Sequence, residues 1–279
     1  MGKISTPYVM RPKVTLRILG TDVTLISPIK ELAEAELGIN LEFIILDGVR
    51  AQRQGALEPD SFDVYDQWFH DVDLIWPSRS IKPIDTARIK AWEQVNELSV
   101  FNSSNNHKAN LSSPRKRLFV QPNEQLGSDK TQYISMLPTV HNADSFAIIG
   151  ADDIDHHLSW EMLLSEKWRG RVAIQAEAAI GVLDLLMAFD AKGEQSFQDL
   201  SNLNLEEIDL FIRMTRQYQV KNQFLKFWTD KVPLPSDLKT EKPILSTMWW
   251  TNYISIKASG AKITMCTPKE GYRGWFGGM

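Results

Sequence analysis

Acidic and aromatic side chains fall together at a few places in this chain, and that pairing suits an amine-bearing ligand. Thr21 and Asp22 follow the first candidate strand. Trp68 and Phe69 follow a later one, with Asp71 and Asp73 just beyond. Asp144 and Ser145 stand in the middle of the chain. Trp249, Trp250 and Tyr253, then Glu270, Tyr272, Arg273 and Trp275, crowd the last forty residues. An aromatic face attracts a desolvated ammonium by roughly 0.5–2 kcal/mol, and a carboxylate adds charge-assisted hydrogen bonds. These positions sit at the ends of candidate strands, where open α/β sheets bind small molecules. The expected ligand-binding set is therefore Thr21, Asp22, Trp68, Phe69, Asp144, Ser145, Trp249, Trp250, Glu270, Tyr272, Arg273 and Trp275. Arg273 pulls the other way. A guanidinium suits a carboxylate or phosphate ligand, unless it pairs with Glu270 and fixes that loop.

Packing is the competing role for the same residues. The chain has nine tryptophans, and Trp160, Trp168 and Trp228 read as core. Asp22 and Asp144 suit turn and cap positions equally well.

Motifs for catalysis are scarce. The sequence has no Gly-x-Ser-x-Gly, no phosphate-binding Gly-x-x-x-x-Gly-Lys-Ser/Thr, no His-Glu-x-x-His and no Cys-x-x-Cys. Asp152-Asp-Ile-Asp-His-His157 is the best metal candidate. Neighbouring His156 and His157 would point apart in an extended chain, so a structural role before a helix is favoured there. The single cysteine, Cys266, lies in an apolar strand pattern without a histidine partner and reads as an inert buried thiol. No catalytic residue, metal or cofactor is expected. A cytoplasmic α/β enzyme using Asp/His acid–base groups is the alternative class.

Length and composition fit two modest α/β domains: 279 residues, 43% hydrophobic, 24% charged, net charge −4. An acidic balance argues against a general nucleic-acid partner. No apolar run reaches membrane-spanning length, and the start shows no apolar leader segment.

Val14–Gly20 reads as a strand, Ser27–Leu37 as a helix opened by Ser27-Pro28, Leu41–Leu46 as a buried strand and Phe62–Trp68 as a third. Strand–helix–strand at this spacing makes a βαβ unit with a parallel sheet. Thr86–Leu98 reads as helical, and 102–132 as a long surface loop. Leu158–Trp168 reads as a short helix, Gly170–Gln175 as a strand, Glu177–Lys192 as a helix ended by Gly193, and Leu205–Trp228 as one long amphipathic helix. Ile244–Met248 and Lys262–Cys266 complete the strands, with a short helix between them closed by Gly260.

The ordered set Thr247-Met248-Trp249, Gly260, Pro268, Glu270, Gly271 and Trp275 resembles the second-lobe exit of bacterial solute-binding proteins that feed ABC importers. The polyamine (spermidine/putrescine) branch is the nearest. Asn142–Phe146 resembles that family's crossover segment. Trp160, Leu163, Trp168, Gly170 and Val172 resemble the piece that follows it.

The resemblance implies a type 2 periplasmic-binding-protein fold: two α/β lobes with mixed sheets flanked by helices, joined near His141–Phe146 and again near Lys239–Thr247. It places lobe 1 at 1–141, the first part of lobe 2 at 142–246, and the end of lobe 2 with the start of the return at 247–279. The C-terminal part of lobe 1 is expected to be missing. That loss would leave apolar surface exposed, with marginal stability or self-association. The implied function is capture of a small solute, a polyamine or other cation, between the lobes by hinge closure and delivery to a membrane permease. A carboxylate would replace the cation if Arg273 faced the cleft. The implied location is periplasmic or extracellular. A truncated, non-binding remnant is the other alternative.

Overall fold

Parallel strands at the start of the chain carry the first unit. The structure, a computed structural model, describes residues 13–100, 114–151, 157–200, 202–229, 231–237 and 240–279. It divides into two compact units. The chain passes from the first to the second at Val140–His141 and back at Trp275–Phe276. Residues 240–247, in the stretch expected to be a second junction, lie within the second unit.

In the first unit, β1 (Thr15–Gly20), helix α1 (Ser27–Leu37) and β2 (Asn40–Ile45) form the expected βαβ unit. The sheet order is β2-β1-β3, all parallel, with β3 at Val64–Tyr65. The expected third strand is thus split: β4 is only Gln67–Trp68, and it pairs with Gly277–Gly278. Helix α2 (Gly48–Leu57) is capped by Asp47, whose Oδ1 accepts from the Arg50 backbone N–H. Leu19 packs in a core with Ala51, Tyr65, Phe69, Val72, Ile75 and Phe119. Ile18 points to the opposite face, where, among the described residues, Leu25 and Leu41 join it as buried residues. Helix α1 buries nothing fully, and Ile29, Leu32 and Leu37 are 50%, 61% and 66% exposed.

Helix α3 (Val72–Ile75) leads to β5 (Ile84–Asp85). The continuous helix expected over 86–98 is instead two 3₁₀ turns, at Thr86–Arg88 and Trp92–Gln94, and a short α4 (Glu97–Val100). Part of the expected long loop lies outside the described residues. From 114 onward it forms α5 (Arg115–Leu118), β6 (Phe119–Val120), β7 (Leu126–Gly127) and β8 (Tyr133–Ile134), in a small antiparallel sheet ordered β5-β8-β6-β7.

In the second unit the long β9 (Pro138–Ile149) is flanked by antiparallel β13 (Ile244–Met248) and β14 (Ile263–Met265). Two parallel pairings extend the sheet to β11 (Val172–Gln175) and β12 (Phe224–Trp228). Side chains alternate cleanly across it. Phe146, Ile148, Val172, Ile174 and Leu245 enter one core, and Ala147, Ile149, Ala173 and Ile244 the other. Both faces are covered, which explains why these strands read as unbroken apolar runs.

Helix α6 (Ala178–Lys192) packs on the first of these cores and ends at Gly193 in the left-handed region. Helix α7 (Leu205–Val220) opens with a capping box between Asn204 and Glu207. It stops there; Phe224–Trp228, expected to continue it, is β12. Its chain-mate segment Leu158–Trp168 is not an α-helix but 3₁₀ turns at Trp160–Leu164 and Glu166–Trp168, preceded by β10 (His157–Leu158). Helix α8 (Trp250–Ala258), β15 (Thr267–Pro268, paired with β10) and β16 (Arg273–Gly278) complete the chain.

Candidate functional site

Register brings one group of predicted residues together within the second unit. Antiparallel β9 and β13 set Ser145 opposite Met248, so Asp144 is level with Trp249 and the start of α8. On the other side of β9, the Cys266 backbone N–H donates to Phe146 O at 2.9 Å, and Ser145 Oγ donates to Cys266 O at 2.9 Å. The turn after β15 then returns Tyr272 and Arg273 to the same strand ends.

Arg273 is buried and held by two carboxylates. Its Nε donates to Asp184 Oδ1 at 2.6 Å, and its Nη2 to Asp144 Oδ2 at 3.4 Å. Asp144 Oδ1 accepts the Trp250 backbone N–H at 3.1 Å, and hydrogen bonding from the Trp275 side chain adds to this. Two carboxylates and one guanidinium leave one negative charge in excess, inside a site that water scarcely reaches. Burial pushes the Asp184 carboxyl up to about 6, with Arg273 pulling back and Asp144 adding repulsion. Burial also raises Asp144, against the pull of Arg273. Burial lowers the Arg273 pKa, but the facing Asp184 and Asp144 more than offset it, and the guanidinium stays charged.

Next to this cluster lies a pocket of about 200 Å³ lined by Asn142, Ala143, Ser145, Trp250, Met265 and Tyr272. Trp250 and Tyr272 are 44% and 48% exposed, and Trp250 also packs at 5.3 Å on Tyr253. Asp144 sits between Ala143 and Ser145 and accepts the Trp250 N–H, and Arg273 follows Tyr272, so the buried charges adjoin the lining.

Other predicted residues have structural partners. Glu270 does not meet Arg273: its carboxylate accepts from Ser159 Oγ at 2.6 Å and the Trp160 backbone N–H at 3.2 Å, and so caps the turn at Trp160. Trp249 packs edge-on against Trp228 at 5.4 Å, in the core between α8 and the sheet. Cys266 is buried, and burial pushes its thiol up to about 12, which fits an unreactive side chain.

The first unit gathers the rest. Thr21 is buried, and its carbonyl accepts the Leu25 N–H. Asp22 is exposed. Trp68 stacks on His70 at 5.8 Å with planes 6° apart. The indole lies so close to Gly48 that any Cβ there would meet it at 2.3 Å. Phe69 is in the core. Two buried carboxylates flank this region. Asp71 accepts from Gln52 Nε2 at 2.8 Å and lies 3.2 Å from His70 Nε2. Asp66 accepts from Thr24 Oγ1 and is raised by burial. Neither Asp66 nor Asp184 was among the predicted residues.

Most of the Asp152–His157 run lies outside the described residues, and among the described residues no group of three acidic, His or Cys side chains is placed to hold a metal ion. No helix of the described residues is long and apolar enough to cross a membrane.

The fold is that of the periplasmic solute-binding proteins. The spermidine/putrescine ABC transporter substrate-binding protein PotD of Streptococcus pneumoniae, solved with calcium and HEPES, superposes with a TM-score of 0.60 at 10% identity, over 95% of this chain and 72% of its own. The Tp0655 (TpPotD) lipoprotein of Treponema pallidum gives 0.63 at 10% identity, over 95% and 73%. An ABC transporter protein of Clostridium perfringens gives 0.56 at 11% identity, over 94% and 73%. No family model matches the chain. No curated protein matches it either.

Proposed function

We propose that this chain is the solute-binding receptor of an ABC importer, that its ligand is a polyamine or other small cationic molecule, and that it hands this ligand to a membrane permease from a periplasmic or extracellular position. The fold supports the receptor class, since proteins named as ABC transporter substrate-binding proteins share it. The observation that carries the ligand class is the uncompensated negative charge of Asp144 and Asp184 around Arg273, adjoining an aromatic-lined pocket. A cation in that pocket gains from the field of the carboxylates and from the ring faces of Trp250 and Tyr272.

A carboxylate ligand would need the Arg273 guanidinium, and that group is buried and occupied by Asp184 and Asp144. The geometry therefore favours the cationic reading. No bond is made or broken in it, and no cofactor takes part.

Calorimetric titration of the chain with spermidine, putrescine, simple monoamines and a matched panel of carboxylates tests the proposal. Saturable binding of one or more cations is expected, weakened at least tenfold in Asp144→Asn. Binding by carboxylates alone would overturn it.

A further inference from the structure

The lining of the pocket in the second unit is mostly apolar, and its Asn142 and Ser145 side chains each already hold one hydrogen bond. Asn142 lends its side-chain carbonyl to the Ala143 N–H at 2.8 Å. The Ser145 hydroxyl is directed at Cys266 O. Beside the lining, Asp144 spends one oxygen on the Trp250 N–H and the other on Arg273. The remaining lining is Ala143, the Met265 thioether and the aromatic side chains of Trp250 and Tyr272.

A primary ammonium brings three N–H donors, each of which needs an acceptor once water is removed. A methylated ammonium brings the same charge with a greasy surface and little or no such demand. It is the kind of cation that aromatic faces and a buried negative field hold well, and aromatic side chains around quaternary ammonium groups are a recurrent solution. A soft, polarisable methionine beside the rings suits methyl groups too.

We propose that the pocket lined by Trp250, Tyr272 and Met265 takes a methylated ammonium head, tertiary or quaternary, in preference to a primary amine. This rests on the reading of the chain as a receptor for a cationic solute and names the chemistry of that cation. The charged groups adjoining the pocket are Asp144 on β9, Asp184 on α6 and Arg273 on β16, with Glu177 at the start of α6 also acting on Arg273.

Choline and ethanolamine differ only in three N-methyl groups, so they isolate the point, with tetramethylammonium as the minimal probe. In calorimetry or tryptophan fluorescence, choline is expected to bind at least tenfold more tightly than ethanolamine. Trp250→Ala and Tyr272→Ala are each expected to weaken choline at least tenfold. Both residues are half exposed, and unchanged circular dichroism and melting temperature would show that the variants fold. Equal or tighter binding of ethanolamine, or choline binding untouched by both variants, would overturn the inference. Binding of putrescine or spermidine with choline silent would overturn it too, while leaving the cation-receptor reading in place. Silence towards every cation in a folded sample would overturn both.

Discussion

Arg273 Nε and Asp184 Oδ1 lie 2.6 Å apart with both side chains buried, joining the turn after β15 to the middle of helix α6. Asp144 supplies a longer second contact to the same guanidinium. Removing one partner of a buried ion pair strands the other charge, at a cost of about 3–5 kcal/mol. Arg273→Met is therefore expected to lower the unfolding free energy by about that amount. Adding Asp184→Asn should recover part of the loss, because a neutral amide no longer needs the cation. Urea denaturation of the two variants checks this, and a double variant that is worse than the single one would contradict it.

The same pair gives the stability of this fold an unusual pH dependence. The Asp184 carboxyl is raised to about 6 by burial, so between the ordinary carboxylate range and about pH 6 the folded chain holds a proton that the unfolded chain has released. Stability rises with pH only where the unfolded state binds more protons; here the folded state does. The contribution of this group is fully present at low pH and is lost as pH rises through about 6. Melting temperature measured from pH 4 to 7 should fall across that window more steeply in the natural chain than in Asp184→Asn. An identical slope in both would show that the group does not titrate there.

Much of this arrangement was legible in the residues. The βαβ start, the apolar strands β11 and β13, and the crowding of Trp249, Trp250, Glu270, Tyr272, Arg273 and Trp275 near the end of the chain followed from periodicity and from turn residues; β9, with Asp144 in its interior, begins in a polar stretch that carries no such pattern. The guanidinium of Arg273 is out of place in an amine site on its residue type alone, whereas its partner Asp184 carries no local signal of that pairing. Asp184 sits in Ala178–Lys192, whose apolar residues hide it among core positions. The available signal was its place on the same face as Gly181, Leu185 and Ala188, where a charge survives only with a partner. Helix α7 is shorter than the sequence pattern suggests because Phe224–Trp228 continues an apolar pattern whose period alone does not separate helix from strand over five residues. The role of Glu270 in capping Trp160 joins residues 110 apart, which no local pattern carries.

Gly181 shows how closely α6 approaches the sheet. A Cβ at this position would lie 2.0 Å from the carbonyl oxygen of Gln175, a backbone atom that cannot swing away. Glycine to alanine inside a helix normally stabilises by about 1 kcal/mol. Gly181→Ala is expected to reverse that sign and to destabilise by about 1–3 kcal/mol, as overpacked contacts do. Because α6 also carries Asp184, the shift should loosen the Arg273 pair as well. Thermal unfolding of Gly181→Ala decides the point, and a gain in melting temperature would mean that α6 stands further from β11 than the structure has it.

Glu270 separates the structural from the ligand-binding role of the acidic residues. Its oxygens are taken by the Ser159 hydroxyl and the Trp160 N–H, and the Trp160 indole N–H donates to Gly271 O at 2.9 Å. Losing such a cap costs about 1 kcal/mol, with a further contribution here because Trp160 is wholly buried. Glu270→Ala is thus expected to lower the melting temperature by several degrees. If the cation sits in the pocket of Trp250 and Tyr272, the same variant should change cation affinity less than threefold, whereas Asp144→Asn should change it at least tenfold. Calorimetry on the two folded variants compares them directly. A loss of binding in Glu270→Ala as large as in Asp144→Asn would move the ligand towards the Ser159–Glu270 turn and away from β9.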